Sequence, residues 1–231
     1  MVNFLPLIWQ LSDVWKREGA GGIWLRIRRY VSRSRKPDAF DLAHGTETTL
    51  NVDMWDLGVQ SPNLRTAVKY QPVNIDVMRI GFESLPPGTH NLPFIDIGCG
   101  KGRALIMAHE AGFRRLIGID FSSELLSVAK KNLAKCRIQA NLLHSDADEF
   151  KFPEEPCVVY FYNPFGEELM ARIARRIPPS SYLIYANPKH RAAVFGDFET
   201  VNEGTGLFVG YLRDRFDEGT MVGVGAGSEE A

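Results

Sequence analysis

Three cysteines in 231 residues, Cys99, Cys136 and Cys157, are too few and too scattered for a disulfide framework or a thiolate metal site. They are expected to stay reduced in a cytoplasmic protein, with no bound metal. No hydrophobic run is long enough to cross a bilayer. The opening MVNFLPLIWQLSDVWK is broken by Asp13 and Lys16 and lacks a basic start, so neither a transmembrane helix nor an export signal is expected. Net charge is scarce as well. The formal value is -1, but residues 1–36 carry eight Lys/Arg against two Asp/Glu, so a head of +6 precedes a body of -7. An acidic body argues against a broad nucleic-acid footprint, which needs basic surface to neutralise phosphates. Internal repeats and low-complexity tracts are absent, and 45% hydrophobic with 24% charged residues is ordinary for a globular chain.

What is present is an alternation. From Leu92 onward, short apolar strands at Phe94 to Ile97, Arg115 to Ile119, Ile138 to Leu143, Val158 to Tyr162 and Tyr182 to Ala186 alternate with amphipathic helices. That order predicts an α/β fold, a doubly wound and mostly parallel sheet with crossover helices. One helix is expected over Ser123 to Cys136, capped by Ser122 with Glu124 in its first turn, and another over Glu167 to Ile177, stopped by Pro178 and Pro179. Phe198 to Phe216 reads as a hairpin around Gly204 and Gly206. Before Leu92 the pattern is weaker. Residues 1–40 read as a basic amphipathic helical extension and linker, 41–217 as the main domain with one firm helix at Ile75 to Phe82, and 218–231 as a flexible tail.

The segment FIDIGCGKGRALIMA places Gly98, Gly100 and Gly102 between a strand and a helix. Glycines there let backbone N–H groups and a helix N-terminus approach a ligand, although a tight structural turn needs them too. Arg103 stands where the dinucleotide pattern G-x-G-x-x-G would be continued, which disfavours a nicotinamide-dependent oxidoreductase. The second strand ends at Asp120, where a carboxylate can accept both hydroxyls of a ribose. Phe121 follows it and could lie on a purine or in the core. The third strand ends in HSDAD, with Asp146 set to receive an adenine amine and Ala147 small enough to leave the backbone open.

These residues resemble class I S-adenosylmethionine-dependent methyltransferases. FIDIGCGKG is similar to that family's first motif, LIGIDFS to its ribose-binding motif and LLHSDADEF to its adenine-binding motif, in the family's order, and the resemblance runs over roughly 66 to 212. It implies a seven-stranded Rossmann-like sheet closed by the hairpin and S-adenosyl-L-methionine as cofactor. It also implies that Asp96 holds the methionine amino group through water while Gly98, Gly100 and Gly102 pass beneath the methionine portion. Within the superfamily the chain looks most like a bacterial group of uncharacterised methyltransferases sharing a Tyr-Gln-Pro segment. That likeness implies Tyr70 and Gln71 as a lid over the cofactor, against the plain reading of a turn.

The acceptor should lie beyond the fourth strand, at NPFGEE. Asn163, Pro164 and Phe165 would position the substrate, Asn163 also bordering the cofactor, or would simply end the strand. The stretch is similar to the Asn-Pro-Pro-aromatic motif of enzymes that methylate adenine or glutamine nitrogen, with one proline missing. It also looks like the Asn-x-Phe stretch of the non-SET histone lysine methyltransferases. His190, in ANPKH after the fifth strand, is a candidate general base, although a lone rim histidine is more often surface or helix-capping. The expected activity is methyl transfer to nitrogen or oxygen of a small-molecule or protein acceptor. The alternative is a non-catalytic S-adenosylmethionine-binding or interaction module. The basic head is read as helices packing on the domain, with peripheral membrane contact or nucleic-acid binding as the alternatives.

Overall fold

The computed structural model describes residues 37–49, 72–162, 165–191, 196–204 and 206–213. Tyr70, Gln71, Asn163, Pro164, the head at 1–36 and the tail at 218–231 lie outside the described residues. Five α-helices are described: α1 (Ala39–His44), α2 (Ile75–Glu83), α3 (Arg103–Glu110), α4 (Ser123–Lys135) and α5 (Glu167–Ala174). The strands are β1 (Phe94–Ile97), β2 (Leu116–Asp120), β3 (Asn141–His144), β4 (Val158–Phe161), β5 (Tyr182–Ala186), β6 (Phe198–Gly204) and β7 (Leu207–Leu212). They form one sheet in the order β3-β2-β1-β4-β5-β7-β6. β1 to β5 run parallel to their neighbours, while β7 enters antiparallel between β5 and β6. The strand order reverses between β1 and β4, so a ligand crevice belongs at their carboxyl ends.

The central strands are apolar because both of their faces are covered. Phe94, Leu105, Ile106, Phe113, Leu116 and Leu133 fill one layer. Ile95, Ile97, Ile119, Phe161, Met170 and Ile173 fill the other. α2 begins at Asn74, whose side chain accepts the N–H groups of Asp76 at 2.9 Å and Val77 at 3.4 Å. α4 begins at Ser122, whose hydroxyl accepts the Leu125 N–H at 3.2 Å. Capping of this kind contributes about 1 kcal/mol per helix.

Two boundaries differ from the sequence reading for local reasons. The third strand begins at Asn141 rather than Ile138 because the chain first closes α4: Arg137 turns left-handed (φ 57°), its N–H bonds Ala134 C=O, and the Ile138 N–H reaches Leu133 C=O at 2.9 Å. That is a Schellman closure with arginine in the position glycine usually takes. α5 stops at Ala174 rather than Ile177 because Arg176 and Ile177 make tighter bonds to Ile173 and Ala174, a 3₁₀-like turn ahead of Pro178.

The boundary expected between residues 40 and 41 falls inside α1. Residues 37–49 form a strap folded around Asp41. Its carboxylate accepts the Thr46 hydroxyl at 2.7 Å, the Thr48 hydroxyl at 2.7 Å, the backbone N–H groups of Thr48 and Thr49, and the Thr49 hydroxyl. Burial alone would raise this carboxyl, but the threonine hydroxyls and the Thr48 N–H hold it well below the usual range.

Candidate functional site

The site is built at the carboxyl ends of β1, β2 and β3. β1 delivers Asp96 and runs into Gly98, Gly100 and Gly102, which all hold positive φ (82°, 52° and 82°). Only glycine takes three left-handed positions in five residues without strain. The Gly98 and Cys99 N–H groups bond Ile119 C=O at 2.8 and 2.9 Å, so the loop is fastened to the neighbouring strand. The close approach is also bought at Gly118, opposite Asp96 in the sheet. A Cβ there would stand 2.8 Å from Leu105 Cδ1 and 2.9 Å from Cys99 Sγ.

Asp120 ends β2 and is held by the same loop. Gly100 N–H donates to its Oδ2 at 2.8 Å and Ser122 N–H to its Oδ1 at 2.9 Å. Burial pushes this carboxyl up to about 6 despite those two donors. Asp96 is 2% exposed and accepts no hydrogen bond from the described residues. Burial, reinforced by the charge of Asp120, pushes it well above the carboxylate range. Two buried carboxyls on adjacent strands thus make a pocket that favours a cation or strong donors. Cys99 lies beside them, and burial together with both carboxylates pushes its thiol up, so it is no nucleophile.

β3 leads to the next group of candidate residues. His144 Nε2 lies 3.0 Å from Phe121 C=O, and Ser145 N–H bonds Asp120 C=O at 3.2 Å, which joins the loops after β2 and β3. Asp146 Oδ1 accepts the Asp148 N–H at 3.0 Å, and Ala147 is buried. Phe121 is half-buried. The structure therefore brings Asp96, the three glycines, Asp120, Phe121, Asp146 and Ala147 to one end of the sheet.

Beyond β4, Phe165 is 5% exposed and sits in the apolar cluster with Ile97, Ala147, Phe161 and Leu169. His190, beyond β5, places Nδ1 3.5 Å from Glu167 Oε2 at the start of α5. Its contact is with that rim carboxylate rather than with Asp96 or Asp120.

Three features escaped the sequence reading. Arg103 is buried: its Nε donates to Thr48 Oγ1 at 2.6 Å, its Nη2 to Asp38 Oδ2 at 2.7 Å, and it lies over the Phe40 ring. Asn132 of α4 accepts the Glu47 N–H at 3.0 Å and donates to Lys101 C=O at 3.0 Å, linking the strap to the glycine loop. The signal for the strap was Asp38 before an apolar pair and Gly45 after it, a start and a stop for a short helix. Gly118 inside the strand LIGID was the signal for close approach.

A cofactor of the S-adenosylmethionine class fits these residues. The nearly buried Asp96 carboxyl, without a donor among the described residues, suits an ammonium group. Asp120 suits paired hydroxyls, and the left-handed glycine run leaves no Cβ between them.

Residues 94–177 match the family model described as a methyltransferase domain, less than half of the chain. An uncharacterized protein of Methanocaldococcus jannaschii is 32% identical over 113 residues, covering 47% of this chain and 45% of that protein. The chain spans less than half the length of the curated relatives it matches. Among solved structures, a ribosomal protein L11 methylase from Lactobacillus delbrueckii subsp. bulgaricus aligns at 18% identity and TM-score 0.47, covering 60% of this chain and 78% of that one. An S-adenosylmethionine dependent methyltransferase from Mesorhizobium loti aligns at 21% identity and TM-score 0.38, covering 49% and 55%. The fold rests on the strand order, with its antiparallel last-inserted strand, and on the matched domain. The chain has the α/β Rossmann-like fold of class I S-adenosylmethionine-dependent methyltransferases, a mixed seven-stranded sheet with flanking helices.

Proposed function

We propose that this protein is an S-adenosylmethionine-dependent methyltransferase that transfers a methyl group to nitrogen or oxygen of a small-molecule or protein acceptor. The observation that carries the reading is the pair of buried carboxyls, Asp96 and Asp120, at the ends of adjacent strands around a left-handed glycine loop. Asp96 takes the methionine ammonium, and Gly98, Gly100 and Gly102 pass beneath the methionine chain. Asp120 accepts the ribose hydroxyls, Phe121 lies against the purine, and Asp146 with Ala147 receives the adenine edge. When bound, S-adenosyl-L-methionine supplies a sulfonium-activated methyl group.

What the chain then has to provide is alignment and exclusion of water. Asn163, Pro164 and Phe165 follow β4, next to the switch point, and position the acceptor there, while Tyr70 and Gln71 close over the donor. His190 accepts a proton only if the acceptor arrives protonated, and its partner Glu167 orients it from α5. The bacterial group carrying the Tyr-Gln-Pro segment is the proposed kinship, and a cytoplasmic setting with reduced cysteines the proposed location. The basic head packs on the domain.

The test is transfer of a labelled methyl group from S-adenosylmethionine into a lysate, separated by acceptor size. Label appearing in protein or small-molecule fractions with wild type, and lost with Asp120→Ala, supports the reading. Cofactor binding without any transfer points to a non-catalytic S-adenosylmethionine-binding module. Label confined to nucleic acid contradicts the acceptor class.

A further inference from the structure

The loop after β3 that carries Asp146 has little structure of its own. Among the described residues its internal bonds include the Asp148 N–H to Asp146 Oδ1, the Glu149 N–H to Asp146 C=O at 3.0 Å and the Ser145 hydroxyl to Asp146 C=O at 3.1 Å. Ala147 and Phe150 are buried in the apolar cluster, and the carbonyls of the loop are held from the end of α5. Arg176, just beyond that helix, points Nη1 at the carbonyls of Asp148 (2.7 Å) and Phe150 (3.0 Å) and Nη2 at the carbonyl of Ala147 (3.0 Å). Its Nε donates to Arg172 C=O at 3.3 Å, which fixes the root of the fork. A turn earlier, Arg172 pairs with the Asp148 carboxylate through Nε at 3.2 Å and Nη2 at 3.0 Å.

The two arginines do different things. Arg172 ties one side chain of the loop to α5, which suffices for attachment. Arg176 also stands 3.6 Å from the Asp148 carboxylate, but in addition it reads the loop's backbone, taking three carbonyls in the four residues directly after Asp146. A planar guanidinium with its donors in a fixed fork can span them, whereas an ammonium acts as a single point. Arg176 thus holds the backbone that directly follows Asp146.

We propose that Arg176 is a positioning residue for the adenine subsite, holding Asp146 and Ala147 where they discriminate a 6-amino purine from a 6-oxo purine. This rests on the cofactor reading above. Because α5 also begins directly after Asn163-Pro164-Phe165, the same helix that follows the acceptor segment shapes the donor pocket, and Phe165 and Ala147 share one apolar cluster.

The experiment compares S-adenosylhomocysteine with its deaminated inosine analogue by calorimetric titration, on wild type, Arg176→Met, Arg176→Lys and Arg172→Met, with thermal unfolding of each. In the analogue a carbonyl replaces the amine, so Asp146 loses its donor. Wild type is expected to prefer S-adenosylhomocysteine. Arg176→Met is expected to weaken that ligand about tenfold, the scale of one charge-assisted hydrogen bond, while binding the analogue within about twofold of wild type. Arg176→Lys should recover only part of the preference, and Arg172→Met should keep it. If Arg176→Met does not fold, the Lys variant carries the test: full preference in it overturns the proposal. Equal loss of both ligands, or an unchanged preference, also overturns it. If wild type binds neither ligand, the cofactor reading itself fails, and this inference fails with it.

Discussion

Replacing Asp120 by Asn removes a buried charge and should change how stability depends on pH. The folded carboxyl is pushed from 3.8 up to about 6 by burial. A carboxyl raised by folding is more protonated in the native state than in the unfolded chain between roughly pH 4 and 6. Native protein therefore binds more protons in that window, and stability falls as pH rises through it. Below about pH 4 the cost is absent, and above about pH 6 it is complete. This is the reverse of the usual paired carboxylate. A shift of about two units corresponds to about 3 kcal/mol. Asp96 adds to the same slope, because part of its own rise comes from the Asp120 charge.

In Asp120→Asn the amide oxygen can serve Gly100 N–H or Ser122 N–H but not both, since the amide nitrogen donates. One buried N–H then loses its acceptor, a pH-independent cost of about 1–3 kcal/mol. Urea unfolding of both proteins at intervals from pH 4 to 8 separates the two effects. Wild-type stability minus that of the variant should fall by about 3 kcal/mol from pH 4 to 7. A difference that stays flat, or rises with pH, refutes the burial argument.

Gly102→Ala should cost about 1–2 kcal/mol in denaturant unfolding, because φ is 82° and the new Cβ would meet Ala129 Cβ at 3.3 Å. Arg103→Met should cost about 3 kcal/mol and expose residues 37–49 to limited proteolysis, since the strap loses its buried cation, and Arg103→Lys should restore little of it. His44 tests the other end of the strap. Its Nδ1 lies 2.8 Å from Phe40 C=O and its Nε2 2.7 Å from Glu110 Oε1, two atoms that only accept, so the imidazolium fits best. Burial opposes the charge, but the bonds to Glu110 and Phe40 raise the histidine above 6.5. Its stabilisation is complete below the unfolded value of 6.5 and is lost as pH rises through the folded one. Glu110→Gln should reduce that pH dependence, about 1 kcal/mol at most, in urea unfolding from pH 5 to 9.

The core of the fold was legible because its signals are periodic or punctuated. Alternating apolar runs gave β1, β4 and β5, Ser122 gave the start of α4, and Gly204 with Gly206 gave the hairpin. The glycine loop and Asp120 were legible as neighbours because a glycine-rich turn after one strand and an acidic end of the next both fall at the carboxyl edge of a parallel sheet. The strap was not. Its stability comes from one carboxylate collecting threonine donors and from Arg103, contacts between residues 38–49 and 103 that no local period announces. Arg103 shows the limit well: in sequence it marks where a dinucleotide pattern stops, and in space it is a buried partner of Asp38. The start of β3 was predictable only to within a few residues, because an arginine took the left-handed closing position normally signalled by glycine.

The central claim is that the pocket around Asp96 and Asp120 binds S-adenosylmethionine. The most direct measurement is calorimetric titration of S-adenosylhomocysteine into wild type and Asp120→Asn at pH 5 and pH 7.5. Ribose hydroxyls donate to the ionised carboxyl, so wild-type affinity should rise with pH through about 6. The variant should bind at least about tenfold more weakly at pH 7.5 and lose the part of the pH dependence that Asp120 supplies, keeping that of Asp96, since hydrogen bonds to a charged group contribute about 1.5–3 kcal/mol each. No binding by wild type, or equal binding by wild type and variant at both pH values, would contradict the account.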